Sequence, residues 1–115
     1  MDDHRIWAAE ESLWRAASER YHEQVDPECI MALRRPPYVF AGQAAVEAVS
    51  GTPAWETISF SDKNVSRPEE GLIVIGYRVE ASSGTSRFAS ACTSVYRRKA
   101  HEDWTVVQHA QLPLD

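Results

Sequence analysis

Between Asp3 and Val25 apolar side chains return at helical spacing: Ile6, Leu13, Ala17 and Tyr21 are joined by Trp7 and Trp14, with Glu10, Glu11, Arg15, Glu19 and Glu23 between them. That period predicts a long amphipathic helix with one face toward a core. Trp7, Trp14 and Tyr21 recur at every seventh position, which sets them along one aromatic stripe. At Asp26-Pro27 a favoured N-cap precedes a favoured first helical residue, so a second, short helix is expected through Glu28, Cys29, Ile30, Met31, Ala32 and Leu33. Arg34-Arg35-Pro36-Pro37 ends it, because proline removes a backbone donor and drives the preceding residue out of the α region. Tyr38-Val39-Phe40 is short-strand material, and Gln43 to Val49 predicts a third helix closed by Ser50-Gly51 and Pro53.

From Trp55 onward the period changes. Trp55 to Ser66, Leu72 to Ser82, Arg87 to Arg98 and Trp104 to Leu112 alternate or run apolar with β-branched and aromatic residues, as strands do. Their connections carry turn chemistry at Arg67 to Gly71, Ser82 to Thr85 and Lys99 to Asp103. Helices followed by four strands on short turns predict an antiparallel meander with helices packed on one face, an α+β architecture over residues 1–115 as a single domain. The last two strands are unusually polar. Cys92, Ser94, Tyr96, His109 and Gln111 stand where a plain core would hold Val, Ile and Leu, which suggests a sheet that lines a cavity.

Composition narrows the partners. With 115 residues the chain is long enough to bury a core without metals or disulfides, and 43% apolar with 25% charged residues is ordinary for a globular protein. A net charge of −5 with mixed signs argues against nucleic acid, whose binding is driven by Lys and Arg on phosphates. The one dense basic run, Arg97-Arg98-Lys99, falls at a hairpin turn and reads as a solvated, edge-protecting device. The N-terminus lacks the basic and apolar regions of a secretory signal, and no run approaches membrane-spanning length. Cys29 and Cys92 are therefore expected as reduced thiols in a cytoplasmic protein that meets no membrane.

The order of elements, with Tyr21, Asp26-Pro27-Glu28, Gly42-Gln43-Ala44-Ala45-Val46, Trp55-Glu56, Ser94-Val95-Tyr96 and Trp104 through His109-Ala110-Gln111, resembles the nuclear transport factor 2-like superfamily, and within it the small bacterial SnoaL-like proteins. The resemblance covers nearly the whole chain. It implies a strongly curved antiparallel sheet wrapped round the N-terminal helix, a cone-shaped pocket between them, and a homodimer through the outer sheet face. Enzymes of the superfamily place in that pocket a carboxylate base or a His–Asp pair with a supporting tyrosine, as proton abstraction beside a carbonyl requires.

No such acid stands out. Arg35 to Phe40, where the resemblance would put one, contains no Asp or Glu, while Asp62 and Glu80 fall near strand ends and read as solvent-facing. The sequence thus favours a dimeric domain that binds a small apolar ligand without catalysing a reaction. The alternative is an enzyme of the cyclase, isomerase or dehydratase kind that uses His109 with Tyr96 or Tyr21. The expected pocket residues are Trp14, Tyr21, Met31, Trp55, Tyr77, Cys92, Ser94, Tyr96, His109 and Gln111; which face of the last two strands turns inward is left open. His4, His22, His101 and His109 form no ligand spacing with the cysteines, and the scattered glycines make no phosphate loop, so no metal or cofactor is expected.

Overall fold

The structure, a computed structural model, describes residues 1–15, 21–53 and 55–114, without the side chains of Tyr21 and His22. Its elements are α1 (Asp3–Arg15), α2 (Tyr21–Gln24), β1 (Val25–Ala32), β2 (Val39–Ala41), α3 (Gln43–Ser50), β3 (Thr57–Glu69), β4 (Leu72–Ser83), β5 (Ser86–Ala100) and β6 (Asp103–Pro113). The helical period from Asp3 is realised in α1 and in the turn of α2, while Ala17 and Glu19 of the expected stripe lie outside the described residues. No described helix is long and apolar enough to cross a membrane.

The four strands of the expected meander pair in sequence, β3 to β4 to β5 to β6, all antiparallel. Two more join them, giving one curved sheet in the order β2-β1-β6-β5-β4-β3. Alternation along β4 and β5 decides which side is inside. Ile73, Ile75, Tyr77 and Val79 on β4, with Ser90, Cys92, Ser94 and Tyr96 on β5, are buried under α1; Arg78, Glu80, Thr93 and Arg97 on the intervening positions are exposed. Ile6 and Trp14 of α1 close over this face, and Trp7 packs edge-on to Tyr77 at 5.6 Å and beside Phe60 at 6.0 Å. Each fully buried Ile or Val in this layer contributes about 1.5–3 kcal/mol.

One expected element is different. The segment after Asp26-Pro27 is the strand β1, not a short helix: Ile30, Met31 and Ala32 pair antiparallel with β2 and parallel with β6. Asp26 does accept the backbone N–H of Glu28, at 2.9 Å, as a cap would. Its other oxygen, however, is held by Arg97 of β5 at 2.7 Å and Thr105 of β6 at 3.1 Å, which ties the chain to the sheet at the point where a helix would have to leave it. Cys29 and Met31 then point inward and Ile30 outward, a period of two. Local capping preference loses here to tertiary pairing.

Gly42 turns the chain from β2 into α3 with φ 63° and ψ −129°, a backbone region that side chains other than hydrogen rarely permit. Its N–H bonds the Cys29 carbonyl at 2.9 Å, so α3 is fixed against β1. Ala45, Val46, Ala48 and Val49 are the buried face of α3. Between α1, α3, β1 and the inner side of β5 and β6 the packing leaves a cavity.

Candidate functional site

Glu10 lies one turn after Ile6 and one turn before Trp14, on the buried stripe of α1, and is 1% exposed. An isolated carboxylate there would be prohibitively costly, so the surroundings must supply hydrogen bonds. They do. Tyr96 donates to Oε1 at 2.6 Å, Ser94 donates to Oε2 at 2.6 Å, and Tyr77 donates to the same Oε2. Trp14 in turn donates its indole N–H to the Tyr77 oxygen at 2.7 Å. Burial works against the ionised form, but the nearby His109, with the Ser94 and Tyr77 hydroxyls, outweighs it and holds the Glu10 carboxyl below the ordinary range. Burial first, and Glu10's charge second, push both tyrosine phenols well above their usual value, so both keep the proton they donate.

His109 connects this cluster to the cavity. Its Nδ1 is 2.7 Å from Ser94 Oγ and 3.5 Å from Glu10 Oε2, and its Nε2 is 3.1 Å from Gln111 Nε2. An amide nitrogen has no lone pair to offer, so Gln111 donates and Nε2 accepts. The proton of the neutral ring is thereby assigned to Nδ1, which donates to Ser94, whose own hydroxyl proton goes to Glu10. A chain of hydrogen bonds runs from a buried anion through a hydroxyl to an imidazole on the cavity lining, whose Nε2 is held by Gln111.

The cavity has a volume of about 330 Å³ and is largely apolar. Glu10, His109 and Gln111 form its polar floor; Leu13, Trp14, Met31, Ala48, Val49, Trp55 and Phe88 form its walls; Arg34 and Arg35 stand at its edge. Phe88 touches both Trp14, at 5.5 Å between ring centres, and Trp55, at 5.8 Å. The indole N–H of Trp55 is buried with no acceptor among the described residues.

Of the residues singled out in the sequence, Trp14, Met31, Trp55, His109 and Gln111 line the cavity. Tyr77, Ser94 and Tyr96 lie behind its floor, bound to Glu10, and their hydroxyl protons are committed there. Cys92 is buried on the same face of β5, and burial raises its thiol to about 11, an inert small hydrophobe at neutral pH. The Tyr21 side chain is outside the described residues. The acid that sequence reasoning missed is Glu10. Its spacing from Ile6 and Trp14 was the available signal, masked by Glu11 beside it and by the charged residues around the helix. No group of three or more metal-ligating side chains occurs among the described residues.

No protein-family model matches the chain, and no curated protein matches it. Solved structures do. A proposed ketosteroid isomerase from Parabacteroides distasonis aligns over 96% of this chain and 86% of its own, with TM-score 0.80 and 16% identity. An NTF2-like protein from Rhodospirillum rubrum, described as of unknown function in nutrient uptake, aligns over 99% and 100% with TM-score 0.78 and 16% identity. The CaMKII hub homology domain of Chlamydomonas reinhardtii aligns over 97% and 95% with TM-score 0.72 and 12% identity. Such identities speak for the backbone alone, and they agree with the helix-covered curved sheet: this chain has the nuclear transport factor 2-like fold.

Proposed function

We propose that the protein binds a small, largely apolar carbonyl compound in the cavity under α1 and that His109 exchanges a proton with it. The observation that carries this reading is the chain Glu10–Ser94–His109, which ends in a basic nitrogen on the floor of an otherwise apolar cavity. A cavity of about 330 Å³ is at the small end of the usual ligand-site range of about 300–1,000 Å³. Once the Gln111 amide turns from Nε2 toward the ligand, abstraction of a proton beside the carbonyl moves it to His109 Nε2 and leaves an enolate; the imidazolium is then stabilised by Glu10, 3.5 Å from Nδ1. Tyr96 and Tyr77 serve as positioning groups, because their protons are given to Glu10. The donors left to the enolate oxygen are the amide of Gln111 and the indole of Trp55.

Hydrogen–deuterium exchange tests this directly. Small cyclic ketones and enones incubated with the protein in D2O are expected to gain deuterium at the α-carbon, with the rate falling about 10²–10⁴-fold in His109→Gln. Saturable binding without exchange would leave a binding domain and remove the catalytic half of the reading. A panel that neither binds nor exchanges would remove both. We further propose that the protein is a homodimer joined through the outer sheet face, on which Ile30, Val39 and Leu112 are exposed, and that its buried thiols Cys29 and Cys92 belong in a reducing compartment.

A further inference from the structure

Resting on that reading of the cavity, we infer that its ligand is an amphipathic acid, with an apolar body between Phe88, Trp55 and Trp14 and a carboxylate at the mouth against Arg35 and Arg34. The molecule carries a net charge of −5, yet the edge of its apolar cavity is formed by two adjacent arginines. Both project from the turn between β1 and β2, which is closed by backbone hydrogen bonds from Leu33 to Tyr38 and from Tyr38 to Arg35, each 2.8 Å. The turn therefore fixes the backbone that carries the pair.

Each guanidinium lies over a ring: Arg34 is 4.4 Å from the centre of Phe88, itself a cavity wall, and Arg35 is 4.9 Å from that of Phe40. Stacking restrains the Arg35 guanidinium and leaves its edge, where the N–H fork is, to meet a carboxylate side-on. Arg35 makes no ion pair with any described acid, and a terminal nitrogen of its guanidinium lies within 3.7 Å of the position a Cβ on Gly51 would take, beside the lip of the cavity. Arg34 and Arg35 are both solvent-exposed, so a bound carboxylate keeps part of its hydration.

The floor fixes the ligand's direction. Glu10 is the one acid on the cavity lining among the described residues, and its oxygens are already occupied by three hydroxyls, so a second carboxylate beside it would be repelled and unpaired. An acid head is accepted at the arginine end and rejected at the histidine end. The carbonyl end of the same molecule is left to face His109 and Gln111.

Binding of phenylacetate and of the longer phenylbutyrate, each compared with its own primary amide, tests the inference by tryptophan fluorescence or calorimetry. Each acid is expected to bind about tenfold or more tightly than its amide. That preference is expected to vanish in Arg35→Gln, to weaken in Arg34→Gln and to fade with added salt, each change affecting the acids more than the amides. Equal affinity of acid and amide overturns the inference and leaves the cavity reading intact. So does a preference that survives both arginine replacements, or one that is lost on His109→Gln alone, which would put the anion at the floor. If neither acid nor amide binds, the cavity reading falls with it.

Discussion

A carboxylate with three hydroxyl donors and an imidazole near it is a stable arrangement only while every partner is present. Replacing Glu10 with alanine removes the acceptor of Tyr77, Ser94 and Tyr96 together, and a loss of about 3–5 kcal/mol in urea unfolding is expected. Glu10→Gln keeps the shape and one acceptor oxygen, and is expected to cost less. The pH dependence separates charge from shape. Because the folded protein holds Glu10 below its ordinary value of 4.5, the folded state binds this proton less readily than the unfolded chain. The stabilisation is thus full above that value and is lost as pH falls through the lower folded one. Asp26 adds a loss of the same sign, since Glu28, Arg97 and Thr105 outweigh its burial and hold it low as well. The acid-side decline in stability is therefore expected to be shallower in Glu10→Gln than in the wild type, and an identical decline in both would show that Glu10 is not ionised in the fold. Nothing at the level of single residue types could announce this cluster. Ser94, Tyr96 and His109 were legible as a polar row, but their meaning depends on an acid far earlier in the chain, which periodicity alone assigns to a helix and not to a network.

The elements were read with uneven success, and the failures share a cause. Regular strands from Leu72 onward declared themselves by alternation, and their hairpins by glycine and polar turns. Asp26-Pro27 carries the chemistry of a helix start, and the Asp26–Glu28 bond that would begin a helix does form. The chain nevertheless continues as β1, because Arg97 and Thr105, from strands much later in the sequence, hold Asp26 in the sheet. The junction between β2 and α3 rests in the same way on one position. Gly42 at φ 63° has the Pro27 carbonyl oxygen 3.5 Å from where a Cβ would stand, so space is adequate and the backbone angle is not. Gly42→Ala is expected to cost about 1–3 kcal/mol by denaturant unfolding. Because α3 walls the cavity, the variant is also expected to bind ligand more weakly. An unchanged unfolding midpoint would mean that the junction relaxes into another conformation.

For the whole molecule, the outer face of the sheet is where large aliphatic side chains stand exposed. Neighbouring strands set Ile30, Gln108, Val95 and Val74 in one row and Val39, Ala32, Ala110, Thr93 and Gly76 in another, with Leu112 and Ala91 beside them. Ile30, Val39 and Leu112 are 53%, 63% and 64% exposed, unusual values for large aliphatic side chains grouped on one sheet. Light scattering is expected to give a dimer, and a variant carrying Ile30→Lys with Leu112→Glu is expected to be monomeric with its cavity unaltered. A wild-type monomer at high concentration would exclude this interface. The cone itself was legible because its residues alternate and its helices cap a single face. The occupant of the cone was not, since its walls come from α1, α3, β1, β5 and β6 and only folding brings them together.

The sheet order also bears on how the molecule comes into being. β6 lies between β1 and β5 but follows both along the chain. At ribosomal speeds of about 5–20 residues per second, β1 must wait several seconds for the strand that completes its pairing. Until then α2, β2 and α3 are the neighbours that can shelter the inward side chains of Cys29 and Met31. His109 and Gln111 ride on that late strand, so a nascent chain has its cavity walls and Glu10 before the floor is complete.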